Sequence, residues 1–321
     1  MIVVSRRLFC GAATATVLMT PAFRAAFAAD QLTIMTSVPS LEFPFFVHMM
    51  KELKAEAATL GNITVVESDG QNSTTKQTAD VEAAMVQKVN GIVISPKEVD
   101  AMAPVLQQAV DAGIPVVTID RRVDGVPGIL AHVGADNVAG GEAQGRFIQQ
   151  TFPNGARIVN LQGQPGASPA IDRNKGVHNV LDAMADKYKF IAEQTAEFAR
   201  DKGLSVTESI LAGLDSPPDV IVAANDDMAL GALEAVSGLN LKDKIKILGF
   251  DALPEALASV RDGGLAATVE QWPGGQSRKA MDIMVDYLKN KKKPDQNLVL
   301  LTPIVITKAN LDKSERLNEV K

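Results

Sequence analysis

Thiols are almost absent from this sequence: Cys10 is the only cysteine in 321 residues. That excludes a disulfide framework and a cysteine-built metal site, so stability must come from core burial, which a chain of this length can supply. Histidine is nearly as scarce. His48, His132 and His178 are scattered, with neither metal-ligand spacing nor the His–acid pattern of a catalytic triad, and no motif calls for a cofactor. Basic residues are outnumbered by acids, giving a formal net charge of −6, a poor balance for holding nucleic acid or an anionic membrane. Past the first residues, no stretch reaches the roughly 18 uninterrupted apolar residues of a membrane helix. Aromatics make up only 4% of the chain, yet three of the 11 phenylalanines, Phe43, Phe45 and Phe46, fall in the short stretch "SLEFPFF".

The N-terminus reads as a secretion signal over residues 1–28. Arg6 and Arg7 precede an apolar run, and "AFA" at 26–28 offers small residues for cleavage. Ser5 before the arginine pair and Phe9 after it fit the twin-arginine variety and an exported, periplasmic protein. Removing this segment takes three arginines and no acid, which moves the net charge from −6 to −9 and removes Cys10.

From residue 32 onward, short apolar strands alternate with amphipathic helices. Strands read at 32–37, 63–68, 91–96, 115–120 and 129–136, then at 156–163, 188–196, 219–225, 245–251 and 265–271, with a last one over 299–307. Helices read from the "PFFV" start to Gly61, and over 74–89, 99–112, 138–150, 168–184, 203–213, 227–237, 254–261 and 276–290. The pattern predicts an α/β protein of two doubly wound parallel-sheet halves.

In such sheets a ligand lies beyond the carboxyl ends of the strands. Those positions hold Phe43, Phe45 and Phe46, then Asp120, Arg121 and Arg122, then Ser168 and Arg173, then Phe198, Asn225–Asp227, Asp251 and Gln271. Carboxylates accept, guanidinium donates and amides do both, which suits hydroxyls, while aromatic rings cover the C–H face of a sugar. Taken singly, an Asp or Asn after a strand is more often a helix cap, and a Phe cluster more often core. Their coincidence at one end of the strands points to a sugar site. Phe46 is expected on the buried face of its helix, with Phe43 and Phe45 facing outward as a platform. Arg122 is expected to be solvated, "KNKKKP" at 289–294 to be an exposed helix end, and Trp272 to be either hinge packing or a ligand wall.

The motifs "GIVISP", "GIPVVTIDR", "VGADNVAGGEAQG", "NLQGQPGASPAIDRNKG", "ANDDMALGALEA" and "ILGFDA", in this order, resemble the periplasmic substrate-binding proteins of ABC sugar importers, ribose-binding-protein type. The resemblance spans essentially the whole chain after the signal. It implies a type I periplasmic binding protein with two lobes joined by a three-crossing hinge, 30–134 plus 272–299 and 135–271 plus 300–321. It implies Phe45 and Phe46 as stacking partners, Asp120 and Arg121 as acceptor and donor, Arg173 reaching across from the second lobe, Phe198 opposite, and Asn225, Asp251 and Gln271 as further polar contacts. Phe43 stands where ribose binders carry Asn. That loses a donor and an acceptor, and points to another pentose, a deoxy sugar or a linear polyol. The implied partners are a monosaccharide or polyol and a membrane permease, with binding of a small signal molecule or reporting to a chemoreceptor as the open alternative, by a monomer that carries no cofactor and binds no nucleic acid.

Two other classes fit less well. A glycosidase would use Asp120 and Asp251 as a carboxylate pair in different environments, but here both carboxylates keep company with arginine and amides. A sugar-responsive repressor would carry a DNA-binding segment where this chain has its export signal.

Overall fold

Helix α1 (Pro44–Leu60) illustrates how local chemistry sets the elements. Pro44 occupies its first turn, where a missing N–H costs nothing, and Gly61 closes it at φ 69°. Met49, Leu53 and Ala57 form the buried stripe. It follows β1 (Leu32–Val38) and precedes β2 (Ile63–Asp69), α2 (Thr74–Val86), β3 (Gly91–Ile94), α3 (Ala103–Asp111), β4 (Val116–Ile119) and β5 (Ala131–Ala135). The computed structural model describes residues 31–321 together with Met1 and Ile2, so the secretion-signal reading at 1–28 lies outside the described residues.

The chain continues through α4 (Asn137–Thr151), β6 (Ala156–Gln162), α5 (Ser168–Leu181), β7 (Tyr188–Thr195), α6 (Arg200–Ala212), β8 (Val220–Ala223), α7 (Asp226–Gly238), β9 (Lys246–Leu248) and α8 (Pro254–Arg261). It ends with β10 (Thr268–Glu270), α9 (Pro273–Asn290), β11 (Leu298–Leu301) and β12 (Ile304–Ile306). The first sheet has the order β11-β5-β4-β3-β1-β2, and the second β7-β6-β8-β9; every pairing within them is parallel. Strands β10 and β12 form a short antiparallel pair beside β9. Fully buried Ile34, Ile94, Val117 and Ile119 fill the first sheet, and Ile158, Leu161 and Ile221 the second. This is the α/β architecture expected from the alternating pattern.

The chain passes between the sheets three times: after β5, between β10 and α9, and between β11 and β12. The single last strand expected over 299–307 is therefore two. Pro303 lacks the N–H a continuous ladder needs, and Leu298–Leu301 pairs with β5 while Ile304–Ile306 pairs with β10. The helix expected at 99–112 starts later, at Ala103, with Pro104 in its first turn, and that expected at 168–184 closes in a 3-10 turn, Asp182–Met184.

Candidate ligand-binding site

The clustered phenylalanines serve the core and a cavity at once. Phe43 precedes α1 in an extended conformation, so the helix begins with Phe45 and Phe46 side by side. Phe45 and Phe46 meet edge to face at 5.3 Å, and Phe43 and Phe46 at 6.4 Å, geometries that favour aromatic pairs. Phe45 is not the outward platform expected: it is as buried as Phe46, and only Phe43 is half-exposed. The wall they form faces a narrow cavity.

In that cavity the free space between the walls is about 30 Å³, well below the usual size of a ligand site. All ten residues expected at the site line it: Phe43, Phe45, Phe46, Asp120, Arg121, Arg173, Phe198, Asn225, Asp251 and Gln271. They arrive from the ends of β1, β4, β7, β8, β9 and β10 and from α5. Three stand in unusual backbone conformations: Asp120 at φ 60°, Phe198 at 63° and Asp251 at 113°. Such conformations cost of order 1–3 kcal/mol each and persist where the surroundings impose them.

The two arginines are held by their surroundings before any ligand arrives. Arg121 Nη1 donates to the Lys97 carbonyl and to Gln164 Oε1, both at 2.9 Å, and its guanidinium lies 5.3 Å from the Phe46 ring. Arg173 Nε donates to Asn137 Oδ1 at 2.8 Å, while Nη1 donates to the Ala224 carbonyl at 2.7 Å and to Asp251 Oδ1 at 3.3 Å. It sits 3.7 Å from the centre of the Phe250 ring. Gln271 Nε2 also donates to Asp251 Oδ1, at 2.6 Å. Asn225 does two jobs. Its Oδ1 caps α7 through the Met228 N–H and its Nδ2 donates to the Phe198 carbonyl, so it caps the helix while lining the cavity.

Burial dominates the electrostatics. It pushes the Asp251 carboxyl up to about 7 despite Arg173 beside it, pushes Asp120 up despite Arg121, and draws Arg121 down to about 10. The cavity thus holds charges stripped of water and only partly repaid by one another.

Two further lining residues are Pro169, which the sequence did not single out, and Asp227, which stood among the strand-end positions but not among the expected contacts. Pro169 sits in the first turn of α5 and offers only apolar surface. Asp227 stood in view in "NDD", but a third polar residue at a helix start carries no signal beyond capping. Arg122 is not simply solvated: it forms an ion pair with Asp172 and its N–H donates to Ser168 Oγ at 3.0 Å. Trp272 does not line the cavity. It adopts φ 62° between β10 and α9, and its indole donates to the Thr302 carbonyl, tying two of the three passages together. A wider depression of about 690 Å³ beside α9 is lined by Lys279, Lys289, Lys292 and Lys293 among acids.

A periplasmic binding protein domain matches residues 34–292. The chain belongs to the periplasmic binding protein family. Within this family it is 40% identical over 264 residues to the ribose import binding protein RbsB of Bacillus subtilis, covering 82% of this chain and 83% of that one. It superposes on a Caulobacter myo-inositol binding protein bound to myo-inositol with a TM-score of 0.86 and 42% identity, covering 91% of this chain and 98% of that one. A Bacillus halodurans solute binding protein with bound myo-inositol follows at 0.83 and 28%, covering 88% and 97%. The fold is that of the type I periplasmic binding proteins.

Proposed function

We propose that this periplasmic binding protein captures a monosaccharide or polyol in the cavity between its two sheets and delivers it to the membrane permease of an ABC importer. The observation that carries this reading is the cavity itself. Aromatic rings from α1 and Phe198 supply plates for C–H faces, and Asp120, Arg121, Arg173, Asn225, Asp251 and Gln271 form a polar rim suited to hydroxyls. The names of the relatives support sugar or polyol as the class. The ten lining residues act as ligand contacts, with Arg121 and Arg173 donating at fixed geometry that a lysine would not reproduce.

The protein binds without turnover. Asp120 and Asp251 are each accompanied by a guanidinium group, an arrangement for holding hydroxyls rather than for splitting a bond. The lobes are 30–134 with 272–299 and 135–271 with 300–321, and the pairing of β11 with β5 favours carrying the first lobe on to Leu301. The twin-arginine reading of residues 1–28 supports export to the periplasm.

The test is calorimetric titration of the purified mature chain against ribose, other aldopentoses, hexoses, xylitol and myo-inositol. One tight, saturable ligand is expected, and it is not ribose. Phe43→Asn should restore a hydrogen-bonding pair and narrow the gap to ribose by about 1–3 kcal/mol. Failure of the whole panel, with the protein folded, would overturn the sugar reading.

A further inference from the structure

Several donors of the cavity are already spent on the protein itself, although Arg121 keeps Nε and Nη2 available. Gln271 Nε2 is spent on Asp251, Asn225 Nδ2 on the Phe198 carbonyl, and most of the Arg173 fork on Asn137, Ala224 and Asp251. Against this, Asp227 Oδ2 and Gln271 Oε1 are buried with no hydrogen-bond partner. The amide orientation of Gln271 is fixed, because its nitrogen must face the Asp251 carboxylate; the orphaned atom is therefore the oxygen.

Asp227 makes no ion pair among the described residues. Arg200 donates to Glu234 at 2.9 Å and to Glu255 at 2.8 Å and 2.7 Å, and makes no ion pair with Asp227. Its neighbour Asp226 points into the protein, where it accepts from Thr268 and from the Leu253 N–H. A buried carboxylate oxygen without a donor is costly, and it persists where something else supplies the donor.

We propose that Asp227 is a specificity-determining residue: with Gln271 Oε1 it forms a hydroxyl-accepting subsite on the α7 side of the cavity. The ligand it selects is a ring or chain that carries a free hydroxyl at that wall, against its deoxy analogue at the same carbon. This rests on the sugar or polyol reading above and narrows it, since Phe43 removes polarity at one wall while Asp227 demands it at another. The site thus favours a fully hydroxylated compound, and disfavours the deoxy sugars that Phe43 alone brought into view.

The experiment titrates wild type, Asp227→Asn and Asp227→Ala with myo-inositol, xylitol and ribose and with single-deoxy analogues of the tightest of them. Wild type is expected to reject one deoxy analogue in particular. Asp227→Asn should lose about ten- to hundred-fold affinity for the parent compound, the worth of one hydrogen bond to a charged group, and should bind that one analogue nearly as wild type does. Its ligand-free melting temperature should be unchanged or higher, because an unpaired buried charge has gone. Full discrimination retained in both variants would overturn the inference while leaving the sugar reading intact. So would a uniform loss across all analogues with a lowered melting temperature, the mark of a structural role. No binding of any compound by folded wild-type protein would sink the reading and the inference together.

Discussion

At the scale of single residues, the site is a set of partly repaid charges. Arg173 holds Asp251 and Asn137 and borders Phe198, so truncating it leaves several buried groups without partners. Arg173→Ala and Asp120→Ala are each expected to weaken ligand binding by about 2–5 kcal/mol in calorimetry. The same burial predicts a pH effect on the free protein. Burial holds Asp251 and Glu270 at about 7 and Asp227 at about 6, all above the roughly 4 of unfolded carboxyls. The folded state therefore binds more protons, and the stability these groups confer is full below about 4 and lost as pH rises through 6–7. His178, raised by Glu193 and Asp182, adds to this, whereas His48 and His132, lowered by burial, oppose it only below about 6.5. Between pH 8 and 6.5 the melting temperature of ligand-free protein should rise as the pH falls, and Glu270→Gln should flatten the slope. A temperature that falls over that range would contradict the assignment.

Between elements, backbone contact decides more than side-chain fit. Helices α4 and α5 meet through glycine: a Cβ at Gly141 would come within 2.1 Å of the Arg173 carbonyl oxygen, and one at Gly176 within 2.1 Å of the Val138 oxygen. Neither obstacle is a flexible side-chain tip. Gly176→Ala should cost about 1–3 kcal/mol in denaturant unfolding, through overpacking, and Gly141→Ala should also weaken binding, because it pushes on the backbone of Arg173. Elements of this kind were largely legible from the sequence, since an apolar stripe and a proline or glycine boundary are local properties. The exceptions have local causes too. Pro303 splits the last strand, and the late start of α3 follows from Pro104. What could not be read was the partner each half of that last strand would choose.

Across the whole molecule, the two sheet regions are joined at the cavity rim as well as through the three passages. Val99 N–H donates to the Gly166 carbonyl at 2.9 Å, Gln164 bridges Arg121 and Asn72, and Arg122 pairs with Asp172. These contacts exist only while the regions are together, so they favour the closed arrangement independently of ligand. Asp172→Ala removes a half-buried pair worth on the order of 1 kcal/mol. It should therefore raise the ligand dissociation rate by about five-fold and leave association nearly unchanged in stopped-flow measurements. An equal change in both rates would argue against a rim contact that acts in the closed state.

The sequence by itself determined the α/β class, the strand ends and the residue types that stand there, because hydrophobic period and turn chemistry depend on near neighbours. Only the tertiary structure decided how those groups are spent. Asn225 serves as cap and wall together, Trp272 braces the passages, and Arg122 finds Asp172 fifty residues away. Asp227 keeps a buried oxygen without a partner, while Arg200 of α6 pairs with Glu234 of α7 and Glu255 of α8. Pairing of that kind depends on which distant element lands beside which, and no local pattern encodes it.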